Sequence, residues 1–130
     1  MAHPHPDDPL AVLIVEDEAL VRMSAVAMAK EAGLKAYEAA DADEAIALLE
    51  KHTDIGVLFT DINMPGSMDG LKLAHYVRGR WPPVRIIVTS GRVDASGQDM
   101  PLGSVFFAKP YRATQIAGKL REFAAPSAWR

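Results

Sequence analysis

Four short apolar runs in this chain each stop at a charged residue or a hydroxyl group. The runs are AVLIV, GVLFT, RIIV and SVFFA, and the polar residues at their ends are Glu16-Asp17, Asp61, Thr89 and Lys109. Such short, nearly unbroken runs of β-branched and other apolar residues are typical of strands buried on both faces, as in parallel sheets. Ligands bind beyond the carboxyl ends of strands in an open parallel sheet. If the four runs lie side by side, three carboxylates, a hydroxyl and an ammonium group converge on one small site.

The segments between these runs carry helical periodicity. Asp41 and Glu44 have the spacing of a capping box at a helix start. Leu73 and Val77 lie one helical turn apart, and residues 34–39 are predicted to form a further, outer strand. Repeated alternation of strand and helix predicts an α/β sandwich with helices on both faces of the sheet.

Composition limits the classes of function. The chain has 130 residues, 49% of them hydrophobic, which fits one domain; we place it at residues 10–124, between loose tails at 1–9 and 125–130. The net charge of −3 and the lack of a basic stripe disfavour direct nucleic-acid binding. The absence of cysteine excludes disulfides, zinc–thiolate sites and thiol catalysis. With no signal-peptide core and no membrane-spanning window, a cytoplasmic location is expected.

The polar residues at the strand ends also match a known family in their order. The set Glu16-Asp17, Asp61, Thr89 and Lys109-Pro110 resembles the receiver domain of two-component response regulators, over roughly residues 10–124. The loop Asp61-x-x-Met64-Pro65, followed by Asp69-Gly70-Leu71, resembles the family's phosphorylation loop. This resemblance implies a flavodoxin-like receiver fold, a doubly wound five-stranded parallel sheet with strand order 2-1-3-4-5.

A metal site is expected among the carboxylates. Glu16, Asp17 and Asp61 would repel one another at close range unless a cation intervenes. Mg²⁺ suits a shallow site with few protein ligands, because it keeps several waters and pairs with phosphate oxygens. The resemblance implies that Asp17 and Asp61 bind Mg²⁺ through their side chains, Asn63 through its backbone carbonyl, and Glu16 through a bound water. The alternative for Glu16-Asp17 is a helix N-terminus that favours acidic residues.

The resemblance also assigns the phosphoryl chemistry. Asp61 is expected to be the phosphoacceptor, since carboxylates can form aspartyl phosphates. Lys109 would supply a fixed positive charge and Thr89 a hydroxyl for a phosphoryl oxygen. Ser90 follows Thr89 directly, so either hydroxyl could reach the site, and the position in the family pattern favours Thr89.

Two further expectations concern the switch. Phe106 stands where the family has a switch aromatic, with core packing as the alternative, and the Lys109-Pro110 bond is expected to be cis. The segment 91–103 should hold the fourth helix, yet its glycines and its proline predict a short or irregular one. Such a segment could become ordered on phosphorylation or on meeting a partner and so act as the switch; the alternative is a shortened connector without a signalling role.

The sequence therefore predicts a stand-alone receiver. It would accept a phosphoryl group from a histidine kinase or phosphotransfer protein, catalyse only its own phosphorylation and dephosphorylation, and signal to a downstream protein by contact or by onward phosphotransfer. A haloacid-dehalogenase-like phosphatase would need a second acid where Asn63 stands. A flavodoxin would need a phosphate loop after the first strand, where Glu16-Asp17 lies. A receiver that is never phosphorylated is the last alternative, and the complete residue set argues against it.

Overall fold

A five-stranded parallel sheet forms the centre of the protein, for which a computed structural model describes residues 10–64, 66, 68–91 and 100–125. The elements in chain order are β1 (Ala11–Val15), α1 (Ala19–Glu31), β2 (Lys35–Ala39), α2 (Ala42–Lys51), β3 (Ile55–Asp61), α3 (Gly70–Arg80), β4 (Arg85–Ser90), β5 (Val105–Ala108) and α4 (Ala113–Ala124). The strand order is β2-β1-β3-β4-β5, and every neighbouring pair is parallel. The predicted doubly wound topology is confirmed.

The central strands are buried on both faces because helices cover both sides of the sheet. Alternate residues of a strand point to opposite faces: Leu13 and Val15 join the core under α2 and α3, whereas Val12 and Ile14 join the core under α1 and α4. This explains why the β1 run is apolar throughout rather than alternating with polar residues. Functional groups can therefore lie only where the strands end.

Aspartate side chains cap the N-termini of two helices, α2 and α3. Asp41 accepts a hydrogen bond from the Glu44 N–H (2.9 Å), and Glu44 reaches back to the N–H of Ala40 (2.9 Å) rather than to that of Asp41. Asp69 caps α3 through the N–H of Lys72 (2.9 Å). Both caps satisfy N–H groups that the helix leaves unpaired, and both fix loops on the side of the sheet where the strands end.

The predictions about the helix expected at 91–103 and about the two tails fall largely on residues that the structure does not describe. Residues 92–99 lie outside the described ranges, so the expected short or irregular helix there remains a prediction. Within 100–103 the chain makes a turn in which the Ser104 N–H donates to Pro101 O (3.1 Å) and Gly103 has a φ of +84°, before β5 begins. The tails at 1–9 and 126–130 are likewise outside the description. No helix in the described part of the chain is long and apolar enough to cross a membrane.

Candidate functional site

The polar residues at the strand ends converge at one edge of the sheet. Asp61 is the last residue of β3 and pairs in register with Thr89 of β4, while Glu16 directly follows β1. Lys109 directly follows β5, where its N–H donates to Ser90 O (2.8 Å). Parallel strands end at the same edge, so residues up to 93 positions apart in sequence become neighbours.

Three carboxylates form a compact cluster at this edge. Oxygens of Glu16, Asp17 and Asp61 all lie within 4.8 Å of one another. Glu16 and Asp61 are buried, with 3% and 7% of their surface exposed, whereas Asp17 is exposed to solvent. The cluster thus has two buried carboxylates and one exposed carboxylate, so an ion or a substrate can reach it from the side of Asp17.

Lys109 bridges the two buried carboxylates. Its Nζ lies 3.1 Å from Glu16 Oε1 and 3.2 Å from Asp61 Oδ2. Burial alone would lower the pKa of Lys109, but the hydrogen bond that Lys109 donates to Glu16 and the charges of Asp61 and Glu16 outweigh it, so this pKa is raised. Burial raises the pKa of Glu16 despite hydrogen bonds from Glu18 and Lys109 that lower it. The ammonium group is therefore a fixed positive charge beside Asp61.

Two contacts hold the turn that carries Glu16. The Glu18 N–H donates to Glu16 Oε2 (3.1 Å), which orients the carboxylate. The Arg22 guanidinium donates to the main-chain carbonyl of Glu16 (2.8 Å) and also contacts Glu38 on β2 (3.3 Å). Arg22 is thus a positioning residue for the acidic turn, and sequence analysis did not single it out.

Asn63, two residues after Asp61, contacts both Asp61 and Ser90. The Asn63 N–H faces Asp61 Oδ1 at 3.3 Å, and the Asn63 side-chain amide donates to Ser90 Oγ at 3.1 Å. Thr89 is buried and in register with Asp61. The Ser90 hydroxyl thus accepts a hydrogen bond from Asn63, and Thr89 remains the predicted hydroxyl of the site.

The aromatic residues near Lys109 lie on opposite faces of the sheet. Phe106 pairs with Val88 and is half-buried against the core under α2 and α3. Tyr111 packs edge-to-face on Phe59, with ring centroids 6.0 Å apart, and its burial raises the pKa of the Tyr111 hydroxyl. The Lys109-Pro110 peptide bond is cis.

A cleft of about 440 Å³ opens beside the site. It is lined by Glu18, Val21, Lys109, Pro110 and Tyr111. Lys109 lines the cleft and also contacts Asp61, so a molecule bound against Lys109 in the cleft would lie close to the acidic cluster.

Comparison with known proteins places the chain among signalling modules. The family model for the response regulator receiver domain matches residues 12–121. The sensor kinase CckA of Brucella abortus is 33% identical over 115 residues, which are 85% of this chain and 12% of that kinase. The chain spans between 12% and 53% of the length of the curated relatives that it matches.

Solved structures agree with the sequence match. The receiver domain of a hybrid histidine kinase CckA superposes with a TM-score of 0.71 and 31% identity, covering 86% of this chain and 96% of that one. The response regulator TrrA of Thermotoga maritima, in complex with Mg²⁺-BeF, has a TM-score of 0.79 and 20% identity, covering 87% and 97% of the two chains. The second likeness is one of fold alone.

Proposed function

Because this chain belongs to the response regulator receiver domain family, we propose that it is a phosphorylation switch with Asp61 as its phosphoacceptor. The observation that carries this is the position of Asp61 Oδ2, 3.2 Å from Lys109 Nζ, among the clustered oxygens of Glu16 and Asp17. A carboxylate that is buried, yet beside an open acidic cluster and a fixed cation, suits nucleophilic attack on phosphorus.

The residues at this site fit a bound Mg²⁺ ion. Among the described residues, the Lys109 ammonium group pairs with two of the three clustered carboxylates, so negative charge remains uncompensated. Oxygen donors of this kind are those that Mg²⁺ prefers. Asp17 and Asp61 would bind it through side chains, Asn63 through its backbone carbonyl, and Glu16 through a water. When bound, the ion neutralises charge on the transferring phosphoryl group.

The remaining groups serve the transfer itself. An oxygen of Asp61 forms a bond to phosphorus while the bond from phosphorus to the donor's imidazole nitrogen breaks. The electron pair of the broken bond stays on that nitrogen. The second ring nitrogen keeps its proton, so the donor histidine ends as a neutral imidazole. Lys109 stabilises the negative oxygens of the phosphoryl group, and the Thr89 hydroxyl donates a hydrogen bond to one of them.

The donor is a histidine kinase or a histidine phosphotransfer protein, consistent with the similarity to CckA receivers. Its phosphohistidine would approach beside the cleft that Lys109 lines, because the same lysine contacts Asp61. Leu20 and Met23 on α1 are 81% and 62% exposed and supply apolar surface for the partner. The signal then passes to a downstream protein by contact or by onward phosphotransfer, with Thr89 and Phe106 as the switch residues.

Intact-mass measurement with acetyl phosphate tests this proposal. Wild-type protein should gain one phosphoryl group with Mg²⁺ and none with excess EDTA, and Asp61→Asn should gain none. Asp69→Asn is the matched control: it removes a carboxylate near the same loop, and asparagine still caps α3. Equal phosphorylation of Asp61→Asn and wild type would refute the proposal.

A further inference from the structure

We propose that Ser90 is a positioning residue for divalent-cation binding, because it anchors the Asn63 side chain and thereby holds the Asn63 main chain beside Asp61. This inference rests on the proposed function, in which the Asn63 carbonyl is a metal ligand. It concerns a contact, Asn63 Nδ2 to Ser90 Oγ at 3.1 Å, that joins residues 27 positions apart.

Ser90 is a rigid anchor. It is the last residue of β4, none of its surface is exposed, and it pairs with Ala108 of β5. Its main-chain carbonyl accepts the N–H of Lys109 (2.8 Å). One residue therefore ties the loop after β3 and the lysine after β5 to the same point of the sheet.

Asn63, by contrast, stands at the start of a loop and is exposed. The main chain before it is fixed, since the Ile62 N–H donates to Thr89 O (2.9 Å). The side-chain bond to Ser90 extends this attachment to β4 by one residue, to the residue whose N–H faces Asp61 Oδ1 at 3.3 Å. This hydrogen bond therefore fixes the main chain at the point where it leaves the sheet.

A carbonyl that is already held in place binds a cation more tightly than one that must be ordered on binding, because ordering a residue costs conformational entropy. The Ser90 contact moves this cost from cation binding to folding. Loss of either partner should therefore weaken Mg²⁺ binding even though the carbonyl itself remains.

Mg²⁺ titration calorimetry on Ser90→Ala, Asn63→Ala and the double variant tests the inference. Each single variant should bind Mg²⁺ about threefold to tenfold more weakly, the range expected for one net hydrogen bond. The double variant should bind no more weakly than either single one, since both remove the same contact. In metal-free protein, the backbone amide of residue 63 should exchange faster in both single variants than in wild type.

Ser104→Ala is the matched control. Ser104 Oγ is buried without a hydrogen-bond partner among the described residues, so its removal deletes a hydroxyl but no tether. Its Mg²⁺ affinity should equal that of the wild type. Unchanged affinity in Ser90→Ala, or additive losses in the double variant, would overturn the inference while the proposed function stands. A wild type that binds no Mg²⁺ would overturn both.

Discussion

Gly70, the first residue of α3, packs directly on the backbone of Asp61. A Cβ at position 70 would overlap the main-chain carbonyl of Asp61, and the Gly70 N–H donates to Ile62 O (2.9 Å). Position 70 therefore has room only for glycine, because any side chain there would push α3 and β3 apart.

We expect Gly70→Ala to destabilise the protein by about 1–3 kcal/mol, the usual cost of overpacking, and to slow phosphorylation of Asp61. Urea unfolding and acetyl-phosphate kinetics measure the two effects. Gly79→Ala in the same helix is the control: a Cβ there meets nothing within 4 Å, so this change should stabilise by about 0.5–1 kcal/mol. Equal stability of the two variants would contradict the account of Gly70.

Replacing Asp17 tests the metal site. Asp17→Asn should weaken Mg²⁺ binding at least about tenfold, since loss of even an outer-shell partner of a metal typically costs that much. It should also raise the melting temperature of the metal-free protein, because one of three clustered carboxylates is neutralised. Calorimetric titration and thermal unfolding in EDTA give the two readings.

Glu18→Gln is the control for this experiment. It removes a neighbouring negative charge that lies outside the cluster and makes no side-chain cap to α1. Mg²⁺ affinity that is the same in Asp17→Asn and Glu18→Gln would remove Asp17 from the ligand set.

The buried carboxyl of Glu16 should make stability depend on pH. Burial raises the pKa of Glu16 above its usual 4.5, so the folded protein binds this proton more readily than the unfolded chain. Its contribution to stability is full below pH 4.5 and is lost as the pH rises through the raised pKa. In EDTA, Glu16→Gln should therefore be more stable than wild type at neutral pH, and the difference should shrink below pH 4.5.

Thermal unfolding across this pH range checks the prediction for Glu16. Glu50→Gln, at an exposed position on α2, is the control for removing a glutamate charge away from the cluster. A Glu16→Gln variant that is less stable than wild type at neutral pH would show that the Lys109 contact outweighs burial.

Lys109 should separate metal binding from switching. Lys109→Ala removes the ammonium group from Glu16 and Asp61 but none of the proposed metal ligands. Mg²⁺ affinity should be kept, whereas a beryllofluoride mimic should no longer slow amide exchange around Phe106. Lys119→Ala, which loses an ion pair with Glu122 and a cation–π contact with Phe123, should behave as wild type in both measurements. Loss of Mg²⁺ binding in Lys109→Ala alone would contradict this division of roles.

Much of the fold follows from local sequence patterns. Runs such as Ala11–Val15 are apolar at every position because both faces of the sheet are covered, and the observed strand order confirms the topology that the family resemblance implied. The family itself is confirmed by the match over residues 12–121. The start of a helix can be predicted where the capping side chain and the N–H group that it binds are close in sequence, as with Asp41 and Glu44.

Contacts that depend on how loops meet were not readable. The hydrogen bond from the Asn63 side chain to Ser90 joins residues 27 positions apart, and no local sequence pattern predicts it. The hold of Arg22 on Glu16 depends on the angle between α1 and β1, and the fit of Gly70 against Asp61 depends on how closely α3 approaches β3. Periodicity fixes which face a residue occupies, but it does not fix such distances.

Chemical trapping of the modified residue tests the central claim most directly. After reaction with acetyl phosphate and Mg²⁺, borohydride reduces an aspartyl phosphate to homoserine, and peptide mass spectrometry then locates the changed residue. The account predicts homoserine at position 61, formed only when Mg²⁺ is present, and unmodified aspartate at positions 17 and 69. Homoserine at another acidic residue, or a phosphoryl group that stays on a serine or threonine through the reduction, would contradict it.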